Sequence, residues 1–282
     1  MKLFPHLKHE DTQKLVMGTV SLVLVFILTS LVSQFVAVIA TCLAAFVLIS
    51  LFIMHYHREG IYHQNRFLEN IQDLQFLQSQ LPLRKPLPYL TGWSASPALG
   101  SRLHSLILDN KPARILELGS GVSTVIMAYA VQQLGSGSVI SIDHDAVYAE
   151  KTREELKRHH LDHLATVLHA PLVQTKINGG HQPWYDLAGI HDLKSVDLLV
   201  VDGPPRKTAK DARLPAFEQL KDRLAPNCIV VIDDSSRSCE SNSVSAWTGM
   251  ANLSRNEDIP CEKGVSVRYL DQTRDAAPIR LN

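Results

Sequence analysis

The chain has no excess of charge: 28 lysines and arginines are matched by 28 aspartates and glutamates in 282 residues. Nucleic-acid binding normally rests on a clustered basic face, so no nucleic-acid partner is expected. Cysteine is scarce as well. Cys42, Cys228, Cys239 and Cys261 form no C-x-x-C pair and have none of the close spacings of a zinc site or small disulfide scaffold. They are expected as buried or free thiols of a reducing compartment. Charge is missing altogether from Leu15 to Met54, where Gln34 is the most polar residue. That absence marks a membrane segment.

As one helix this segment would be roughly 60 Å long, about twice the hydrocarbon core of a bilayer. Two helices joined near Ser30 to Gln34 fit better. A hairpin puts both ends on one side, and Lys2, Lys8 and Lys14 before it and Arg58 and Arg66 after it obey the positive-inside rule at both ends. The expectation is an inner-membrane anchor with the rest of the chain in the cytoplasm. A single long, tilted or kinked helix is the other reading, since the proposed turn has neither Gly nor Pro. A signal peptide is disfavoured because the apolar region is too long for one.

The organisation expected is a cytoplasmic N-terminal segment (1–14), a transmembrane segment (15–57), an amphipathic helix with a proline-rich connector (58–96) and a globular domain (97–282). Ile61, Leu68, Ile71, Leu74, Leu77 and Leu81 recur at helical spacing. Such a stripe over 61–81 packs on the following domain, on a second copy of the chain as an oligomer seam, or on the membrane surface. "LPLRKPLPYL" is a connector.

Beyond Pro97 helices and strands alternate. Helices are expected at 99–108, 122–133, 146–160 and 214–224, and strands at 114–118, 138–143, 166–169, 196–202 and 228–233, with a loop carrying "GGHQPWYDL" between the third and fourth strands. The pattern is that of an α/β domain, a Rossmann-like, doubly wound and mainly parallel sheet covered on both faces, preceded by the transmembrane hairpin. Ligands bind such sheets outside the carboxyl ends of the strands. There this chain keeps its acids: Glu117 on the first strand, Asp143 after the second, Asp202 after the fourth, and Asp233 and Asp234 after the fifth.

"ARILELGSGVST" ends the first strand in a glycine turn, which by itself needs glycine only for backbone geometry. Two neighbours say more. Glu117 would repel bound phosphates and suits a cationic amine, and Thr124 stands where a dinucleotide fold has its third glycine. A nicotinamide oxidoreductase is therefore disfavoured. Asp143 is placed to accept hydrogen bonds from a ribose. The ligand called for has a ribose and a positive group, and no pyrophosphate.

S-adenosylmethionine (SAM) has these properties, and the sequence resembles the class I SAM-dependent methyltransferases over about residues 84–270. "ILELGSGVST", "VISIDHD", "VDLLVVDGPP" and "CIVVIDDSSR" resemble the family's first, second, fourth and fifth motifs. "GWSASP", "APL", "WYD" and "EKG" add similarity to bacterial methyltransferases related to the catechol and macrolide-sugar O-methyltransferases. The resemblance implies that Glu117, Gly119, Ser120 and Gly121 surround the methionine part of SAM, that Ser123 and Thr124 open the next helix, that Asp143 binds the ribose, and that His144 and Ala170 lie near the adenine. Many relatives have an acid where this chain has Ala170 and Pro171.

Catechol-type enzymes hold Mg2+ with an acid after strand four and an Asp-Asn pair after strand five. The resemblance thus implies Asp202, Asp233 and Asp234 as metal ligands; alternatively, Asp202 hydrogen-bonds its own turn and the Asp pair caps the next segment. The family's lysine base falls on Pro205, leaving Arg206 and Lys207 as candidate catalytic cations, as ligands for an acidic substrate or as ordinary loop cations. Without a metal, Asp202 is the preferred base. Trp184 and Tyr185 cover the substrate or anchor their loop on the core. His159, His160 and His163 are expected on the surface, where cations suit a helix C-terminus. The expected function is O-methylation of a small-molecule or lipid-linked acceptor at the membrane; a catalytically inactive assembly module is the alternative.

Overall fold

The computed structural model describes residues 9–30, 34–90, 94–177, 180–250, 253–259, 261 and 263–271. The chain divides into two units, Met1–Asn65 and Arg66–Asn282.

The first unit consists of α1 (His9–Ser30) and the beginning of α2 (Gln34–Gln80). Both helices are long and apolar enough to cross a membrane. They lie side by side as a hairpin: Asp11 is 3.0 Å from His55 Nε2, and Gly18 faces the Leu48 side chain. Large apolar side chains cover the outside, with Val20, Val23, Phe35 and Phe46 all more than half exposed. Residues 31–33 of the expected turn, and residues 1–8 with Lys2 and Lys8, lie outside the described residues.

The separate helix expected over 61–81 is not found, because α2 continues without a break to Gln80. Gly60 costs a helix interior only about 1 kcal/mol, and no proline stands between. In the second unit Leu77 and Leu81, at the end of the stripe, are buried in the domain core, while Phe67 and Leu68 remain exposed.

The domain then alternates as α3 (Pro97–Asn110), β1 (Arg114–Leu118), α4 (Val122–Leu134), β2 (Ser138–Asp143), α5 (Ala146–His159) and β3 (Ala165–His169). The order continues with β4 (Leu172–Ile177), β5 (Gly180–Tyr185), β6 (Val196–Val201), α6 (Pro215–Leu220), β7 (Leu224–Asp233), α7 (Ser238–Met250), β8 (Leu253–Ile259) and β9 (Val265–Leu270). Seven strands form one sheet in the order β3-β2-β1-β6-β7-β9-β8, parallel except that β9 runs antiparallel to both neighbours.

Alternation along the strands divides the core. Ile115, Val139, Leu198 and Val231 face α3, α4 and α5; Leu116, Ile142, Leu199 and Val230 face Trp184, Phe217 and Trp247 on the other side. Three helices show a local reason to start or stop. Ser96 Oγ accepts from Leu99 N–H at 3.1 Å ahead of α3, Asp145 caps α5, and Gly135 ends α4 with φ at 72°.

The stretch expected as a loop with "GGHQPWYDL" is instead a β-hairpin, β4 paired antiparallel with β5. Val173 and Trp184 face each other across it, a β-branched and aromatic pair of the kind that stabilises strands. His159 is corrected as well. It is fully buried, with Nδ1 2.8 Å from Tyr129 Oη and its ring edge-on to that tyrosine, because its face of α5 packs on α4. Burial holds its pKa below 6.5, so it is no surface cation. His160 and His163 are exposed as expected.

Candidate functional site

The carboxyl ends of β1, β2, β6 and β7 gather the acids of the sequence reading into one region. Glu117 shares the face of Ile115, two residues earlier, so it points toward α4 and is completely buried. Its Oε2 accepts from the hydroxyls of Thr124 and of Ser141 (2.6 Å), while Oε1 has no partner. Burial, only partly offset by these hydroxyls and that of Ser123, pushes its pKa up to about 7. Thr124 is itself fully buried and also accepts from Gly121 N–H at 3.0 Å. It braces Glu117 and the glycine turn together.

Gly119 is required where it stands. Its φ is +95°, and an added Cβ would come within 3.1 Å of Gly203 N and 3.3 Å of Asp202 C. The β1 and β6 turns touch here: Asp202 N–H and Gly203 N–H both donate to Leu118 O, at 2.9 and 2.7 Å. Next to this contact Asp143 Oδ2 accepts from Ser120 N–H and Oγ–H, both at 2.8 Å, and Oδ1 accepts from Asp145 N–H at 3.0 Å. Burial alone would raise this pKa, but His144, Asp145 and Ser120 outweigh it and hold the carboxyl below its usual range. His144 lies beside Asp143 and edge-on to Tyr185, and Ala170 N–H donates to Asp143 O at 2.7 Å.

A cleft of about 330 Å³ opens in front of this turn, lined among others by Ser94, Ser120, Gly121, Ser123, Thr152 and Asp202. The turns after β1 and β6 thus reach one cavity, and Asp143 at the end of β2 touches it through Ser120. Asp202 lines it on the other side and stands in a group with Asp233 and Asp234, one carboxylate oxygen of each lying within 4.8 Å of the others. Burial and then the charge of Asp233 raise the pKa of Asp202 well above the ordinary carboxylate range; burial and then Asp234 raise that of Asp233. Asp234 has a φ of 60°, an uncommon conformation outside glycine that aims its side chain back into the group.

Sequence reasoning missed the cation among these acids. Arg213, only 4% exposed, donates to Asp202 Oδ1 (3.1 Å), Asp234 Oδ2 (2.9 Å), the Asp233 carbonyl (2.6 Å) and the Asp202 carbonyl. Arg237 donates to Asp234 Oδ2 at 2.8 Å. The available signal was a single arginine between apolar residues in "DARLPAF", just before α6. Against the alternative of a cap on the segment after the pair, the Asp234 carboxylate is held by Arg213 and Arg237, and Asp233 meets Arg213 through its backbone carbonyl. Burial would lower the Arg213 pKa, but the three aspartates hold it above its usual value, so the guanidinium is charged.

Mg2+ does not fit this arrangement. An ion shared by the three carboxylates would stand against a guanidinium that already holds two of them and cannot lose its proton. Arg206 and Lys207 are exposed on the turn after the cis Gly203–Pro204 bond, apart from the buried cluster. Trp184 and Tyr185 are buried in the core, which fulfils the anchoring reading. The Tyr185 hydroxyl nevertheless presses on Gly203 and lacks a partner.

Residues 116–235 match the family model described as a methyltransferase domain. Over these residues the chain carries a methyltransferase domain. No curated protein aligns significantly with the chain. Among solved structures, the fold is similar to the O-methyltransferase TomG from Streptomyces achromogenes, involved in tomaymycin synthesis and solved with SAM. The TM-score is 0.50 at 18% identity, covering 72% of this chain and 96% of that one. It is also similar to the methyltransferase PaMTH1 from Podospora anserina bound to S-adenosylhomocysteine (SAH), with TM-score 0.48 at 17% identity over 71% and 87% of the two chains. The O-methyltransferase from Bacillus cereus in complex with SAH gives 0.47 at 16% identity over 71% and 89%. At these identities the likeness is one of fold.

Proposed function

We propose that the chain is an O-methyltransferase anchored to the inner membrane, with its methyltransferase domain in the cytoplasm, acting on a small-molecule or lipid-linked hydroxyl. One observation carries the reading: a single cleft is bounded by the turn that Glu117 and Asp143 buttress and, on its other wall, by Asp202, whose pKa is raised. Bound SAM supplies a methyl group on a positively charged leaving group. The unpartnered Oε1 of Glu117 suits the cofactor's ammonium, and Asp143, held ionised, suits the ribose hydroxyls. Gly119, Ser120, Gly121 and Ser123 form the backbone cradle, with Thr124 bracing it and His144 and Ala170 toward the adenine.

The acceptor's proton goes to Asp202. A carboxylate raised toward neutrality is a better base than an ordinary one, which favours a hydroxyl acceptor. Arg206 and Lys207 are offered to an acidic part of the acceptor. The N-terminal hairpin supports membrane anchoring by its length and its exposed apolar surface. The domain organisation of the sequence reading is retained in this proposal, except that α2 joins the transmembrane segment directly to the domain.

The test uses the full chain in detergent. Isothermal titration with SAH should give one site that Asp143→Ala weakens. Tritiated methyl groups from SAM should appear in a lipid or small-molecule fraction of the source membranes. Absence of SAH binding, or label confined to protein, overturns the proposal; SAH binding without any transfer favours the inactive assembly module.

A further inference from the structure

The cluster at the ends of β6 and β7 holds more acid than one divalent ion or one arginine needs. Asp202, Asp233, Asp234 and the buried Glu240 surround Arg213, and Asp233 Oδ1 and Asp234 Oδ1 have no hydrogen-bond partner. An acidic cluster alone would say little. The second observation is the buried cation already inside it. Arg213 grips Asp202 and Asp234 through side chains and both β-strand ends through the carbonyls of Asp202 and Asp233.

A planar guanidinium can span groups in this way, whereas Mg2+ needs near-octahedral oxygen ligands at about 2.1 Å. Asp202 Oδ1 and Asp234 Oδ2 are therefore already taken by nitrogen donors. Any ion reaching the remaining oxygens would do so against a fixed positive charge in a desolvated site, where repulsion is least screened. Arg237, also on Asp234, adds to it.

We propose that Arg213 stands where a divalent cation would otherwise gather Asp202, Asp233 and Asp234, so that the site is metal-independent and Arg213 is the positioning residue for Asp202. This rests on Asp202 being the acceptor's base. Arg213 touches neither reacting atom. It sets the distance between the tips of β6 and β7 and the direction in which the free oxygen of Asp202 points. The arginine takes over the structural part of a metal's role and leaves proton removal to the carboxylate.

The decisive measurement is Mn2+ binding to the EDTA-treated full chain in detergent, read from the free-ion electron paramagnetic resonance signal. The wild type should show no saturable site. Arg213→Met removes the charge but keeps much of the side-chain length, and should gain one Mn2+ site, at least about ten-fold tighter than anything in the wild type. Asp233→Asn with Asp234→Asn in that background should abolish it. Arg213→Lys, which keeps a cation, should remain without Mn2+. A single tight Mn2+ site in the wild type, lost in Asp233→Asn, overturns the proposal, as does an Arg213→Met protein that binds SAH normally yet gains no ion. SAH titration on each variant separates the two readings: failure to bind SAH in the wild type sinks the methyltransferase site, while the Mn2+ result still decides Arg213. Should Arg213→Met fail to fold, the wild-type and Arg213→Lys titrations carry the decision.

Discussion

Replacing Glu117 by Gln isolates the cost of burying the acid beneath the glycine turn. Raising this carboxyl from 4.5 to about 7 corresponds, at about 1.4 kcal/mol per pH unit, to about 3 kcal/mol by which ionisation favours the unfolded chain. The folded-state pKa is the higher one. The unfolded chain therefore loses its proton first, and stability of the ligand-free protein falls as pH rises from about 4.5 to about 7, with the full penalty present above that range. Gln cannot ionise, yet its amide oxygen can still accept from Thr124 and Ser141. The stability of Glu117→Gln relative to wild type should hence rise by about 3 kcal/mol between pH 4.5 and pH 8. The assay is urea unfolding of the full chain in detergent, followed by the buried Trp184 and Trp247. Taking the difference between variant and wild type cancels most of the other titrating groups; Asp202 and Tyr185, whose ionisation Glu117 opposes, contribute a smaller change. A difference that stays flat across this range would refute the account. The same ionisation should govern SAH: affinity for the wild type rises toward pH 7 as Glu117 is freed to pair with the ligand's ammonium, and Glu117→Gln loses both affinity and this slope.

Three further outcomes follow from the same geometry. Asp143→Ala should weaken SAH by about 10- to 100-fold in calorimetry, the worth of one or two hydrogen bonds to a charged group, and an unchanged affinity would remove Asp143 from the cofactor site. Gly119→Ala should cost about 1–3 kcal/mol in urea unfolding and reduce SAH binding together, since a Cβ there is strained by its φ and crowds Gly203. His159→Gln should be about 1–3 kcal/mol less stable than wild type at neutral pH. Because the wild-type imidazole has a lowered folded pKa, the stability it contributes is lost as pH falls below 6.5, so the gap should narrow toward pH 5; a gap that widens would contradict the neutral buried ring.

The strands that carry chemistry were legible because they are short apolar runs closed by an acid. Arg114–Leu118 and Ser138–Asp143 have the bounds expected, and Asp202 lines the cleft while Glu117 and Asp143 hold the turn beside it, because parallel strands of a single sheet end on one side. Other features left no such mark. "HQPW" has no alternation of apolar and polar residues to announce a strand, so the hairpin of β4 and β5 shows only through its cross-strand pairing. The continuity of α2 is equally hidden, because a charged surface stretch after an apolar one looks like a boundary whether or not the helix stops.

Sequence by itself thus determined the order of the sheet's chemistry: which strand carries which acid, and that Glu117 is unsuited to phosphate. Only the tertiary structure decided what those acids face. Arg213 is 11 residues from Asp202 and 21 from Asp234 along the chain, and only the packing of α6 under the ends of β6 and β7 brings its guanidinium between them. His159 likewise reads as a helix-end cation until α5 is laid against α4 and Tyr129 takes its ring out of water. A carboxylate's neighbours along the chain are fixed by covalent bonds, whereas its counter-charge is fixed by burial, where an unpaired ion is too costly to leave alone.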